Sequence, residues 1–318
     1  MNEEVRLRAG WRVLCQFLLD NAGVSLLGFL ALAAVAGLSP GATQSAPSPY
    51  LPVLFYAGAA TRAASVWASG RFLDGRPFSG FGLSLDRAWW SDLGFGLLLG
   101  ALLMTGIFLA QLAAGWVTVT GSLVTGDGGA FFPAILAPAA LFVCVGFYEE
   151  LVSRGYQLTN LAEGLNGTAV GPKGAIVLAW VLSSSVFAAL HLFNPNTSTL
   201  STFNIFLAGM MLGSGYVLTG QLAIPIGLHT TWNFFQGNVF GFPVSGLDLL
   251  GATFLSTRQT GPALLTGGPF GPEAGLLAPA AMALGILLIA LRVRRSSGKV
   301  SLHLPLAESQ AADHQTAR

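Results

Sequence analysis

Residues 143–158, VCVGFYEELVSRGYQL, set two glutamates and an arginine inside a run that is otherwise oily. The run belongs to an apolar window at about 132–157, long enough to cross roughly 30 Å of hydrocarbon. Charges at that depth are costly and mark either function or a local ion pair. Helix geometry separates the three. Glu150 and Arg154 stand four apart in the acid-before-base order, so the arginine neutralises that carboxylate. Glu149 lies about 100° round the helix, has only Ser153 one turn on, and is left free to face a cavity as a general base. On these residues alone, a plain buried Glu150 and Arg154 pair, with Glu149 reaching toward the interface, stands equally well.

The rest of the chain supplies the membrane. Of 318 residues, 53% are hydrophobic and only 9% charged, with a mean hydropathy of +0.65, too little charge to coat a soluble domain. Further apolar windows fall at about 12–38, 51–70, 92–119, 175–193, 203–219, 222–243 and 275–292. The expectation is an all-α fold, a polytopic bundle of about eight transmembrane helices with its site among helices 4, 5 and 7. Residues 1–295 form one transmembrane domain, and the polar segment 296–318 reads as a disordered cytoplasmic tail. The N-terminal apolar run is too long for a signal peptide and reads as a retained first span.

Arg6, Arg8, Arg12, Arg71, Arg76, Arg87, Lys173 and the group from Arg292 to Lys299 fall on one set of loops. The alternate loops hold almost none beyond Arg258, so the positive-inside rule puts both termini in the cytoplasm. With 15 basic against 14 acidic side chains, no basic field for nucleic acid exists. Cys15 and Cys144 share no ligand spacing and read as small hydrophobes. Trp89 and Trp90 suit the interface before the third span. Gly96 with Gly100, and Gly209 with Gly213, are GxxxG spacings that let helices approach closely.

Other polar residues sit at membrane depth. Asp20 and Arg62 lie at matching depths in the first two spans and read as a structural ion pair. His303 and His314 fall in the polar tail as solvated residues. His191 and His229 lie in or beside apolar windows. Phe187 stands one turn before His191, placed to pack on its ring. His229 and Asn233 share a helix face and can aim two N–H donors at one point, as an oxyanion requires. Either histidine alone reads as a satisfied interhelical residue. The FNPN turn at 193–196 breaks the fifth helix at Pro195 and offers polar side chains for a water entrance.

The motifs EELVSR, FAALH and HTTWN follow one another between Glu149 and Asn233 as EExxxR, FxxxH and HxxxN. In this order they resemble the CAAX prenyl endopeptidase type 2 and bacteriocin-processing (CPBP or Abi) family of intramembrane proteases, over about 132–243. The resemblance implies a glutamate protease: Glu149 with His191 activates water, His229 with Asn233 holds the tetrahedral oxyanion, and Glu150, Arg154 and Phe187 organise the site. No cofactor is implied.

Two other readings stay open. Glu149, His191 and His229 could be a His₂Glu zinc set, although there is no HExxH. A proton-relay transporter or non-catalytic scaffold would also bury Glu and His, yet no internal repeat supports a duplicated transporter. The partners expected are the lipid bilayer and a peptide or lipidated protein, with no nucleic acid. The location expected is a bacterial plasma membrane. One count is awkward: at about 1.5 Å per residue, Glu149 and His229 fall near the cytoplasmic third and His191 farther across. A fifth helix that begins below the membrane or tilts would restore convergence.

Overall fold

The computed structural model describes residues 7–38, 51–126, 128–248 and 251–308. His314, Arg6 and the loop 39–50 lie outside the described residues. The chain is an integral membrane protein built mainly of helices: α1 (Ala9–Leu38), α2 (Leu51–Ser69), α3 (Arg87–Ala113), α4 (Phe131–Glu150), α5 (Thr159–Leu165), α6 (Gly171–Leu190), α7 (Thr199–Thr219), α8 (Ala223–Phe234), a single turn α9 (Ala263–Thr266) and α10 (Leu277–Ser297). A helix stands in each of the eight apolar windows. Among the described residues six are long and apolar enough to cross a membrane, and α2 and α8 fall short of that measure.

Two strands depart from the all-α expectation. β1 (Val117–Thr125) and β2 (Ala252–Gln259) form an antiparallel ribbon, registered from Val117 opposite Gln259 to Thr125 opposite Ala252, with a bulge between Val119 and Gly121. The expected helix through 119 therefore stops at Ala113, and Gly115 turns the chain with a φ of 71°. The physical reason is in VTVTGSLVT, whose alternating β-branched residues prefer a pleated strand.

Glycine decides how closely the helices pack. A Cβ on Gly96 would press on the Ile224 carbonyl, and one on Gly100 would sit 2.9 Å from the Trp232 nitrogen. The first GxxxG face thus seats α3 directly on the α8 backbone. Gly209 and Gly213 do the same for α7 against Ser184 and Trp180 of α6. Close backbone approach of this kind is what small residues contribute where lipid supplies no hydrophobic drive between helices.

At one end of the bundle an ion network ties α1 to the segments after α2 and α5. Arg12, only 2% exposed, donates to Asp74 at 2.6 Å and to Glu163 at 2.9 Å, and Arg76 also pairs with Glu163. At the same junction Asp86 caps α3 by accepting from the Trp89 nitrogen at 2.8 Å. Trp89 is buried, its indole donating to the Gly82 carbonyl at 3.0 Å, whereas Trp90 is exposed. Only Trp90 is therefore free to meet an interface.

The tail also departs from expectation. Up to Glu308 it folds back on the bundle: Leu306 and Ala307 are buried, Asn166 donates to the Ala307 carbonyl at 2.9 Å, and the His303 nitrogen donates to the Val217 carbonyl at 2.8 Å. Leucine spacing in SLHLPLA gives this stretch apolar side chains to bury, which its polar composition conceals. His303 is accordingly packed over Gly220 and is not a solvated residue.

Candidate active site

The site is built where α4 changes its pitch. Residues Leu151–Leu158 wind as a π-helix between α4 and α5, an uncommon conformation frequent at functional positions. Glu150 and Arg154 nevertheless meet at 2.9 Å, and both are fully buried. Arg154 also donates to the Gly209 carbonyl at 3.2 Å, and its guanidinium stands 4.5 Å from the centre of the Phe187 ring. Gly209, whose missing Cβ lets α7 approach Ser184 of α6, is thus also the acceptor for Arg154. The expected Glu150 and Arg154 pair is present, and it does more than neutralise charge.

Glu150 fixes the orientation of His229. Its Oε1 accepts from His229 Nδ1 at 2.8 Å; an ionised carboxylate can only accept, so Nδ1 carries the hydrogen. The other ring nitrogen, Nε2, then stands 3.8 Å from Glu149 Oε2. It offers a lone pair in the neutral ring and an N–H in the imidazolium. Glu150 Oε2 and Arg154 Nε have no hydrogen-bond partner among the described residues.

His191 is held by the same logic from another helix. It sits at the end of α6, where its Nδ1 lies 2.8 Å from the Phe187 carbonyl. A carbonyl also only accepts, so Nδ1 bears the hydrogen and Nε2 is left for other partners. The Phe187 ring packs at 4.8 Å from the His191 ring and at 6.2 Å from the His229 ring. One phenylalanine thereby touches both imidazoles and the Arg154 cation.

Glu149, His191, His229 and Asn233 all line one cavity of about 340 Å³, together with Ser153 and Asn194. The awkward depth of His191 is resolved by length. α4 runs on through the π-turn and α5 to Leu165, which lifts Glu149 roughly 24 Å above that end, while His191 stands roughly 30 Å above Gly171. The turn after His191 closes part of the rim, with Asn194 donating to the Ser245 carbonyl at 2.9 Å.

Two participants, Tyr148 and Glu273, escaped the sequence, and the expected Asp20 and Arg62 pair takes a further position. Tyr148 donates its hydroxyl to Glu149 Oε1 at 3.3 Å. Glu273, buried between α9 and α10, lines the cavity and accepts from the Ser245 nitrogen; burial pushes its carboxyl above the usual range, the Ser245 hydrogen bond opposing. Asp20 and Arg62 do pair, at 3.7 Å, yet they line this same cavity. Adjacency to Glu149 was the one signal for Tyr148, and no local pattern marks Glu273. Among the described residues no group of three His, Cys, Asp or Glu side chains is arranged to hold a metal ion.

Residues 131–235, which carry the π-turn and Glu149, His191, His229 and Asn233, match the family model described as type II CAAX prenyl endopeptidase Rce1-like. Over this core the chain is similar to that family. The match covers α4 to α8 and spans the EExxxR, FxxxH and HxxxN motifs. α1 to α3 and α10 lie outside it, though α1 and α2 contribute to the cavity wall. No curated protein and no solved structure matches the chain.

Proposed function

We propose that the chain is an intramembrane endopeptidase that hydrolyses a peptide bond with water activated by Glu149. The observation that carries this reading is the anchoring of His229 by Glu150, which turns Nε2 toward Glu149 at 3.8 Å in a cavity shared with His191 and Asn233. Glu149 takes a proton from water as the oxygen attacks the scissile carbonyl, and His191 orients that water through Nε2. The negative oxygen that forms is met by Asn233 Nδ2–H and by His229 Nε2–H. That second donor exists only in the imidazolium, because Nδ1–H is committed to Glu150. As the C–N bond breaks, the proton on Glu149 passes to the leaving amine. Glu150, Arg154 and Phe187 act through position: they hold His229 and His191 in one rotamer each.

The substrate is a peptide or lipidated protein reached from the bilayer, and the family description points to CAAX-type processing, with bacterial peptide maturation or immunity as the other setting. The chain sits in a bacterial plasma membrane with both termini cytoplasmic, the orientation its basic loops support. A zinc site of Glu149, His191 and His229 is the second reading. Its support is that both imidazoles tie Nδ1–H to fixed acceptors and keep Nε2 available, the habit of metal-ligating histidines. Against it stands the present spacing of those side chains.

The test is hydrolysis of a quenched fluorogenic lipopeptide by the purified protein, with Glu149→Gln and a zinc chelator as arms. Cleavage that disappears in the variant and ignores the chelator is expected. Unchanged turnover by Glu149→Gln removes it as the base, and chelator-sensitive cleavage moves the three side chains into a zinc shell.

A further inference from the structure

The Asp20 and Arg62 pair is too loose for a purely architectural role. Arg62 Nε stands 3.7 Å from Asp20 Oδ2, beyond hydrogen-bond distance, and the Asp20 carboxylate takes a separate contact from Ser65 Oγ at 3.3 Å. Among the described residues the two terminal nitrogens of Arg62 have no acceptor. The Arg62 side chain is 29% exposed and lines the cavity, and its guanidinium stands 4.7 Å from the centre of the Tyr148 ring. The hydroxyl at the far end of that ring reaches Glu149. Cation, ring and proposed base therefore follow one another along one wall, with a vacant planar fork at one end and the hydrolytic group at the other.

A guanidinium fork matches a carboxylate bidentately. Resting on the protease reading above, we propose that Arg62 receives the C-terminal carboxylate of the peptide substrate. The scissile carbonyl lies at Glu149 and a short C-terminal fragment spans the Tyr148 ring between them. The path from cation to ring centre at 4.7 Å, along the ring, and from hydroxyl to Glu149 at 3.3 Å is at most the reach of about three extended residues at roughly 3.3–3.6 Å each. Asp20 competes for the same fork, so it sets how much binding a substrate carboxylate gains.

The experiment measures binding in the Glu149→Gln background, so that it reads the subsite whether or not the protein hydrolyses anything. One lipopeptide is prepared as its C-terminal acid and as its C-terminal amide, and each is titrated against the detergent-purified protein. The acid is expected to bind about tenfold more tightly than the amide, the advantage of a charge-assisted pair. Adding Arg62→Gln should erase the difference, Arg62→Lys should keep part of it, and Asp20→Asn should enlarge it. A merely structural pair would lower the stability of these variants without moving the acid-to-amide ratio.

Equal affinities for acid and amide in the Arg62 protein, or binding of neither, overturn the proposal. So does a ratio that Arg62→Gln or Asp20→Asn leaves unchanged; the second variant decides should the first not fold. The same proteins assayed for retention of phosphatidylglycerol over phosphatidylcholine identify the other source of an anion. Retention that falls in Arg62→Gln while the acid-to-amide ratio stays at one assigns the cation to a lipid headgroup instead. Loss of the ratio beside normal hydrolysis would sink the subsite alone, and a normal ratio beside no hydrolysis would sink the protease reading alone.

Discussion

Removing the Arg154 charge should unbalance the whole site, and the amount can be worked from its partners. Arg154 is completely buried, pairs with Glu150 at 2.9 Å and donates to the Gly209 carbonyl at 3.2 Å. Arg154→Met keeps the stem and removes the cation, leaving Glu150 as a buried carboxylate with His229 as its remaining donor. Breaking one side of such a pair costs about 3–5 kcal/mol. Glu150→Gln should cost a similar amount, because it strands the arginine, although the new amide oxygen still accepts from His229 Nδ1. The double variant Glu150→Gln/Arg154→Met buries no charge at this pair and should return to within about 1–2 kcal/mol of the parent. The assay is thermal stability of the three variants in detergent, read by fluorescence-detected size exclusion. Each single variant should melt roughly 10 °C lower, with the double variant well above both. A double variant as unstable as the sum of the singles would refute the reasoning, since independent losses would mean that the two charges do not interact.

Three other outcomes follow from the packing. Gly100→Ala should cost about 1–3 kcal/mol and reduce activity, because its Cβ would lie 2.9 Å from the Trp232 nitrogen and push α3 off the helix that carries His229 and Asn233. Gly106→Ala, which meets open space, is the control, and equal behaviour of the two would discount the close approach. Arg12→Met should lower stability by about 3–5 kcal/mol and open α1 to protease, as it takes one cation from between Asp74 and Glu163; an unchanged digestion pattern would argue that the network is idle. Burial holds the His303 imidazole below its usual 6.5, with Glu308 opposing. A depressed histidine favours the docked tail above that value and withdraws the support as pH falls from it toward the lower folded value. Amide exchange over 300–308, corrected for intrinsic rate, should therefore quicken on acidification, and a His303→Ala protein should show no such pH dependence.

The sequence by itself determined the helical membrane class of the protein and named the residues proposed to carry its chemistry. Apolar windows give a helix in each of eight places because lipid demands that every backbone group be satisfied within a segment. Within α4, the spacing of Glu149, Glu150 and Arg154 fixes which carboxylate meets the arginine, since an i,i+4 pair is a property of the helix alone. The ribbon was legible in VTVTGSLVT, but its first three residues fell inside the apolar window 92–119 and the rest in the loop that follows it, where an apolar strand and helix score alike. The docked tail was hidden in the opposite way, by polar neighbours around a few leucines.

Tertiary structure alone decided the rest. Glu150 reaches His229 across 79 positions of sequence, and no local pattern announces that contact. The wall of Asp20, Arg62, Tyr148 and Glu149 assembles only when α2 packs on α4 and α1 packs on α2. Glu273 joins the cavity from a loop near the other end of the chain. Periodicity reports which way a side chain points from its own helix axis, whereas a site made from several helices depends on their mutual rotation and height. Those are set by contacts such as Gly96 and Gly100 on α8, where the absence of a side chain permits the approach and a sequence pattern names no partner.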